Sequence, residues 1–464
     1  MAKKTQAGSG GNGNGDSATG GNGGSGTGSN SGSATGGSAG RRRVVIVAGV
    51  RTPFVKAFGQ LIKVDSIGLG VAAVGALLER TGIARKEIEG IVWGGVILPG
   101  SAPNIGREIA LDLRLPPSVE AMTVTRACAS GLQAITTAAS AIERGDADVM
   151  IAGGSDSTSN AEIKLPQKVV HAMAPLAFGK ATPADYLGVL AQLWPINEIL
   201  PTRPKIAERS TGEVMGEAAD KMARRNEISR AAQDEFAFQS HRRAAAAIAS
   251  GRFASEVAPI ATAEGIVHND NLVRADTSVE KLAKLRPVFA KDGTVTAGNA
   301  SPLTDGASAV LLMSEEKAKS LGLTPLAALR SWAYVGVDPA DQLLLGPALA
   351  MPKALDRAGL QLADIDFVDL HEAFAAQCLS VLKVMASKAF AETRLGRSQA
   401  VGEVDPARLN VHGGSIALGH PFGATGARIV TTMANELHLT GKSTALIGIC
   451  AAGGLGAAAV LEHI

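Results

Sequence analysis

MTVTRA (122–127), a cysteine at 128, ASGLQAITTAASAIER (129–144) and ADVMIAGG (147–154) follow one another almost without a break. The first reads as a strand, the second as a helix of small residues, and the third as a short apolar strand ending in two glycines. Strand, helix and strand in this order are α/β grammar. The order returns late in the chain. There GATGARIVTTMANELH (423–438) reads as a helix and STALIGIC (443–450) as a strand that again runs into Ala and Gly. The two pairs look like one unit used twice. Outward from the first pair lie VVIVAGV (44–50) and GIVWGGVI (90–97) as strands and IGLGVAAVGALLER (67–80) as a helix. Outward from the second lie AALRSWAYVG (327–336) and DIDFVDL (364–370) as strands. The reading is α/β, with two similar halves whose strand ends meet at one cleft, the place where open α/β sheets bind ligands.

Composition narrows the function. The chain has 464 residues, enough for two or three domains. Lys+Arg is 45 against Asp+Glu 43, so no general electrostatic pull toward nucleic acid exists. Aromatic residues are 3%, too few for base-stacking surfaces. Three cysteines cannot staple a chain this long, which points to free thiols in a reducing, cytoplasmic setting. No apolar run is long enough for a membrane-spanning helix. Residues 1–40 hold 15 of the 55 glycines and show no apolar period, so they read as a disordered Gly/Ser/Asn-rich tail.

Residues 158–210 break the strand–helix rhythm. KLPQKVVHAMAPLAFGKATPADYLGVLAQLWPINEIL (164–200) is apolar and interrupted by proline. One reading makes it a helical excursion packed on its own domain. The other makes 163–200 an amphipathic hairpin that touches a membrane or a partner. The domain limits expected are 41–157 with 286–325 for the amino-terminal half, 158–285 for an inserted helical loop domain, and 326–464 for the carboxy-terminal half.

The residues fit for chemistry lie at strand ends and glycine turns. Cys128 stands between a strand and a helix, where the helix dipole favours thiolate. His420, held extended by Pro421 in a glycine-dense stretch, is a candidate base for that thiol. Cys450 ends a strand in CAAGGLG (450–456), where backbone N–H groups can face an oxyanion. His371 and Glu372 sit at a strand-to-helix junction, and strand ends that face a cleft are where catalytic groups belong, which makes His371 a catalytic candidate; the plain alternative is that both cap the next helix. A loop histidine is more often a surface residue, and His412 is assigned to that class. No Walker motif and no dinucleotide-binding glycine pattern follows a strand, and no metal-ligand spacing appears.

Together these motifs resemble the thiolase family, over residues 42–464. TRACASGLQAI resembles its nucleophile motif, with Cys128 as the acylated residue. HEAFAAQ resembles its Asn/His-Glu-Ala-Phe motif, GGSIALGHPFGATGAR its Gly-His-Pro motif with His420 as base, and CAAGGLG its last motif with Cys450 as acid/base thiol. The resemblance implies a layered αβαβα thiolase fold with a loop domain. It implies CoA as substrate, no permanently bound cofactor and no metal. LRPVFAKDGTVTAGNASPLTDGASAV, DQLLLGPALAMPKAL and His371 point to the branch of trifunctional-complex β-subunits and their bacterial relatives. In that branch the insertion contributes to membrane association. A homodimer, an α-subunit carrying enoyl-CoA hydratase and 3-hydroxyacyl-CoA dehydrogenase, and peripheral contact with the inner membrane are the partners implied.

The activity implied is cleavage of a 3-ketoacyl-CoA by CoA, through ping-pong acylation of Cys128. The backbone amides of Cys128 and Ala452 are carried over as the oxyanion hole, Arg274 as a phosphate contact and Ser301 as a pantetheine contact. His371 stands where many thiolases carry Asn. Ala452 replaces a family glycine, keeping the N–H while its methyl narrows the pocket. Three other readings stay open here: biosynthetic acetoacetyl-CoA condensation, a ketosynthase, and a non-catalytic scaffold subunit. The acid/base cysteine argues against the second and the intact set of four residues against the third.

Overall fold

The computed structural model describes residues 42–163, 165–195, 198–200 and 207–464. The tail expected over 1–40 lies outside the described residues. Thr304–Ser314 and Thr444–Ala451 are buried at every position, and Val44–Arg51 at all but one. Sheets covered on both faces favour such unbroken Val/Ile/Leu/Ala runs over alternation. The apolar runs of the sequence therefore become strands with helices on both sides.

The strands form one hydrogen-bonded path. It runs Phe367–Leu370, Thr444–Ala451, Leu455–Glu462, Ala327–Gly336, Val44–Arg51, Thr304–Ser314, Val149–Ser157, Gly90–Gly94 and Glu120–Val124. The two halves repeat one another. Gly90–Gly94 pairs parallel with Val149–Ser157, which pairs antiparallel with Thr304–Ser314. Phe367–Leu370 pairs parallel with Thr444–Ala451, which pairs antiparallel with Leu455–Glu462. The halves join where Val45 and Ile46 pair with Ala328 and Ala327. The amino-terminal half adds an edge strand, Glu120–Val124; at the matching place in the other half a single bridge links Val368 to Leu409.

Three apolar cores explain the layering. Helix Ser66–Thr81 covers the outer face of the first half through Leu69, Val74 and Leu77, packed with Ile91 and Trp93. Helices Pro347–Ala358 and Ala375–Met385 cover the outer face of the second through Met351, Leu355, Val381 and Met385. Between the halves lie helices Ser130–Arg144 and Phe422–Thr440. Their Leu132, Ile135, Val430 and Met433 share a core with Ile46, Val310, Ile447 and Ala459 from both sets of strands. These middle helices carry the sequence repeat, and their amino-terminal ends carry Cys128 and His420.

Backbone contact locks those ends together. A Cβ on Gly131 would come within 2.5 Å of the Gly423 carbonyl oxygen, and one on Gly426 within 2.4 Å of the Leu132 nitrogen. No side chain fits between the helices there, so the small residues of the ASG and GATG turns are a packing requirement.

Between the strands ending at Ser157 and beginning at Thr304 the chain makes an excursion. Helices Met215–Arg225 and Arg230–Ala249 pack on the second half. Gln167–Phe178 and Pro183–Gln192 form an antiparallel pair that buries only Val169, Ala172 and Val189. The same pair and its flanks expose Ile163 (70%), Phe178 (93%), Leu187 (70%), Leu190 (67%) and Trp194 (71%).

Candidate active site

Cys128 sits on a forced turn. Ala127 holds φ at +45°, a left-handed conformation uncommon outside glycine, and helix Ser130–Arg144 starts two residues after the cysteine. Ser130 fixes the turn from inside: its hydroxyl donates to the Ala127 carbonyl at 2.6 Å and accepts from the Arg126 amide at 2.7 Å. The thiol is thereby aimed into the seam between the halves, near the backbone amide of Ala452, whose N–H favours the charged form of the sulfur.

Two imidazoles face it. His371, Nδ1 at 3.0 Å from Ser415 Oγ, follows strand Phe367–Leu370. His420, Nδ1 at 2.7 Å from Thr425 Oγ1, precedes helix Phe422–Thr440. The rings lie 4.2 Å apart between centroids. Each Nε2 is buried and has no hydrogen-bond partner among the described residues. Cys128 Sγ and one nitrogen of each ring lie within 4.8 Å of one another. Cys450 is the last residue but one of strand Thr444–Ala451, close enough to Cys128 for their charges to interact. Residues 128, 371 and 420, drawn from both halves, thus meet at one point, with Cys450 in the neighbourhood of the sulfur.

The charge state of this cluster corrects one expectation. The dipole argument placed Cys128 toward thiolate. Burial outweighs the backbone amides and pushes the thiol up to about 12, with the Asp156 carboxyl adding to the rise. Burial and the Arg428 charge bring His420 down to about 3. His371 is lowered by burial, by His420 and by Arg428. The resting pair is a neutral thiol beside neutral imidazoles, because removing charge from water costs more here than a helix end returns. Alkylation of Cys128 by iodoacetamide in the free protein should therefore speed up about tenfold per pH unit from 6 to 9. A plateau already reached at pH 6 would show a preformed ion pair instead.

Several residues outside the expected set hold the site. Glu372 does not cap the next helix, whose N-cap is Phe374. It is buried and accepts from Ser240 Oγ (2.6 Å), Asn410 Nδ2 (2.7 Å) and the Ile416 amide (3.2 Å), tying the His371 loop to the His420 loop. Beneath them Arg428 pairs with Asp369 at 3.4 Å and reaches Ser415 Oγ at 3.2 Å. Asp156 accepts from the amides of Ile97 and Gly423, each at 2.6 Å, and burial lifts its carboxyl to about 7. Ser415 and Thr425 lie inside the glycine-dense motif, so their nearness to His420 was a visible signal. Asn410 opens the same glycine-dense stretch, whereas Asp156 carried no signal.

The remaining expected residues divide. The Ser301 amide donates to the Ala373 carbonyl at 2.9 Å, and Leu303 bridges to His420, so Ser301 stands at the rim of the cluster. Arg274 is exposed and lines a separate cavity of about 180 Å³ with Lys281 and Leu285. Its loop still reaches the site, since Leu272 packs against Gly419 beside His420. His412 lies apart from the cluster, its Nε2 2.5 Å from Glu436.

Residues 44–316 match the family described as thiolase, N-terminal domain, and residues 323–463 that described as thiolase, C-terminal domain. The chain belongs to the thiolase family. A 3-ketoacyl-CoA thiolase of Shewanella amazonensis is 45% identical over 423 residues, which cover 90% of this chain and 97% of that protein. One from Yersinia enterocolitica is 46% identical with the same coverage. The acetyl-CoA acetyltransferase of Bacillus anthracis superposes with a TM-score of 0.77 at 34% identity, over 91% of this chain and 99% of that one. The human mitochondrial 3-ketoacyl-CoA thiolase in complex with CoA gives 0.76 at 32%, over 91% and 98%. This thiolase has the expected layered α/β architecture and is an acyltransferase.

Proposed function

We propose that this thiolase cleaves 3-ketoacyl-CoA with CoA, releasing acetyl-CoA and a shortened acyl-CoA, through an acyl-Cys128 intermediate. The carrying observation is the convergence of the Cys128 sulfur with a nitrogen of His371 and of His420 within 4.8 Å, both Nε2 atoms being buried and without a hydrogen-bond partner among the described residues. With Nδ1–H donating to Thr425 Oγ1, His420 presents a bare Nε2 lone pair to the thiol. It accepts the proton as sulfur attacks the keto carbon. The negative charge growing on the carbonyl oxygen stabilises the imidazolium that the buried site otherwise disfavours. The amides of Cys128 and Ala452 are the oxyanion donors the family resemblance implies, and the nearness of the Ala452 amide to the sulfur supports that role. Cleavage leaves the enolate of acetyl-CoA, which Cys450 protonates. Cys450, now a thiolate, takes the proton of incoming CoA, whose sulfur attacks the acyl carbon and expels the Cys128 sulfur, to which His420 returns the proton it holds. His371 polarises the thioester oxygen through a water. CoA reaches the site past Ser301, with its phosphates toward Arg274 and Lys281.

Steady-state rates with varied CoA and 3-ketoacyl-CoA should give parallel double-reciprocal lines, and mass spectrometry should find the acyl group on the Cys128 peptide. Converging lines without an adduct would overturn the scheme. The degradative assignment expects turnover of long 3-ketoacyl chains. Acceptance of acetoacetyl-CoA alone would replace it with short-chain condensation, the reading closer to the acetyltransferase neighbour.

The helical pair 167–192 supports peripheral membrane attachment. Its exposed large side chains each leave about 1.5–3 kcal/mol of transfer free energy unused in water. No helix among the described residues is long and apolar enough to cross a membrane, so the pair would lie in the interface. Changing Phe178, Leu187 and Trp194 together to Ser should cut sedimentation with phospholipid vesicles severalfold and leave kcat on a short substrate unchanged. Equal sedimentation would remove the membrane role. The half-exposed edge strand Glu120–Val124 supports pairing with a second copy, since an open edge is a template for another strand. A hydratase/dehydrogenase subunit is the further partner the family branch implies.

A further inference from the structure

We propose that Cys128, His371 and His420 also form a binding site for a divalent cation of the zinc class, an inhibitory metal site superposed on the acyl-transfer centre. Three observations carry this. First, the sulfur and one nitrogen from each ring lie within 4.8 Å of one another, while a tetrahedral zinc ion asks for ligand separations of roughly 3.3–3.6 Å. The three ligand atoms would have to draw in by about 1 Å on binding. Secondly, both Nε2 atoms are buried without hydrogen-bond partners among the described residues. Thirdly, each ring is held from behind by a hydroxyl on Nδ1, Ser415 Oγ at 3.0 Å and Thr425 Oγ1 at 2.7 Å. Metal-bound histidines are oriented in this way, with the second nitrogen spent on a fixed polar partner so that the first offers its lone pair.

The ligand types suit zinc: one thiolate and two imidazoles, with the fourth position left to water. Magnesium and calcium need oxygen ligands, and the three-residue group offers none. Sequence spacing could not show the set, because its members stand at 128, 371 and 420 and only folding gathers them. Binding forms one metal–sulfur and two metal–nitrogen bonds. It releases the single Cys128 thiol proton to solvent, with no change of oxidation state. The sulfur lone pair that would attack substrate is then committed to the metal, so metal and acyl group exclude one another.

The test is calorimetric titration of the metal-free full chain with zinc chloride in a non-coordinating buffer at neutral pH. Cobalt is titrated in parallel for its thiolate charge-transfer absorbance. One ion per chain is expected. Affinity should fall at least 100-fold in Cys128→Ala and at least tenfold in His371→Asn, and binding should vanish in wild-type chain alkylated at Cys128 by iodoacetamide. The 1–40 segment contains no His or Cys and should not contribute. Unaltered affinity in Cys128→Ala or in the alkylated chain, or no binding at micromolar zinc, would overturn the site. Binding is read without turnover, so its failure would leave the acyl-transfer scheme standing, and loss of that scheme would leave the metal result readable.

Discussion

Cys128→Ala is expected to lower kcat for thiolysis by about 10⁴-fold or more while the protein stays folded. Every covalent step passes through this sulfur, and no neighbour can substitute for it. Cys450 is fully buried in its strand, and Cys378 packs behind the His371 loop with its thiol near the His371 carbonyl. The cost to stability is small because the sulfur faces a seam rather than filling a core; a loss of about 1 kcal/mol is in scale. Far-UV circular dichroism and thermal melting check the fold, and release of acetyl-CoA checks the rate. More than a tenth of wild-type kcat would show that Cys128 is not the nucleophile.

His420→Asn should cost about 10²–10⁴-fold in the acylation rate, the range of a positioned general base. Its pH dependence is the sharper mark. The Cys128 thiol lies near 12, so without a base the reactive thiolate fraction grows about tenfold per unit as pH rises toward that value. The variant's rate should climb steeply from pH 7 to 10. The wild type, whose base stays unprotonated down to about pH 3, should change far less over that span. Thr425→Val, which removes the hydroxyl behind Nδ1, should fall between the two, with the loss in kcat rather than KM. His412→Asn breaks only a contact with Glu436 outside the cluster and should leave acylation intact. Rapid quench with acyl-CoA separates these cases, and a flat pH profile in His420→Asn would assign the base elsewhere.

Much of this site was legible in one dimension because its residues sit on short motifs with local causes. A cysteine between an apolar strand and a small-residue helix, and a histidine before proline in a glycine-dense turn, announce where the backbone must bend. The glycines meant more than flexibility. Gly131 and Gly426 are small because two helices touch there backbone to backbone, a pairing across almost three hundred positions that no local pattern encodes. Glu372 was misread as a cap for the same reason: its partners Ser240 and Asn410 come from distant segments. The thiol's charge was misjudged because a helix end is visible in sequence and desolvation is not.

The amino-acid order by itself settled the elements and the family: buried strands are written as apolar runs, turns as glycine and proline, and four ordered motifs as a thiolase. Tertiary structure alone decided the chemistry's setting. Only when the two halves close on the paired middle helices do Cys128, His371 and His420 share one pocket. There, loss of water keeps both thiol and imidazole neutral until a substrate's developing charge makes transfer of the proton favourable.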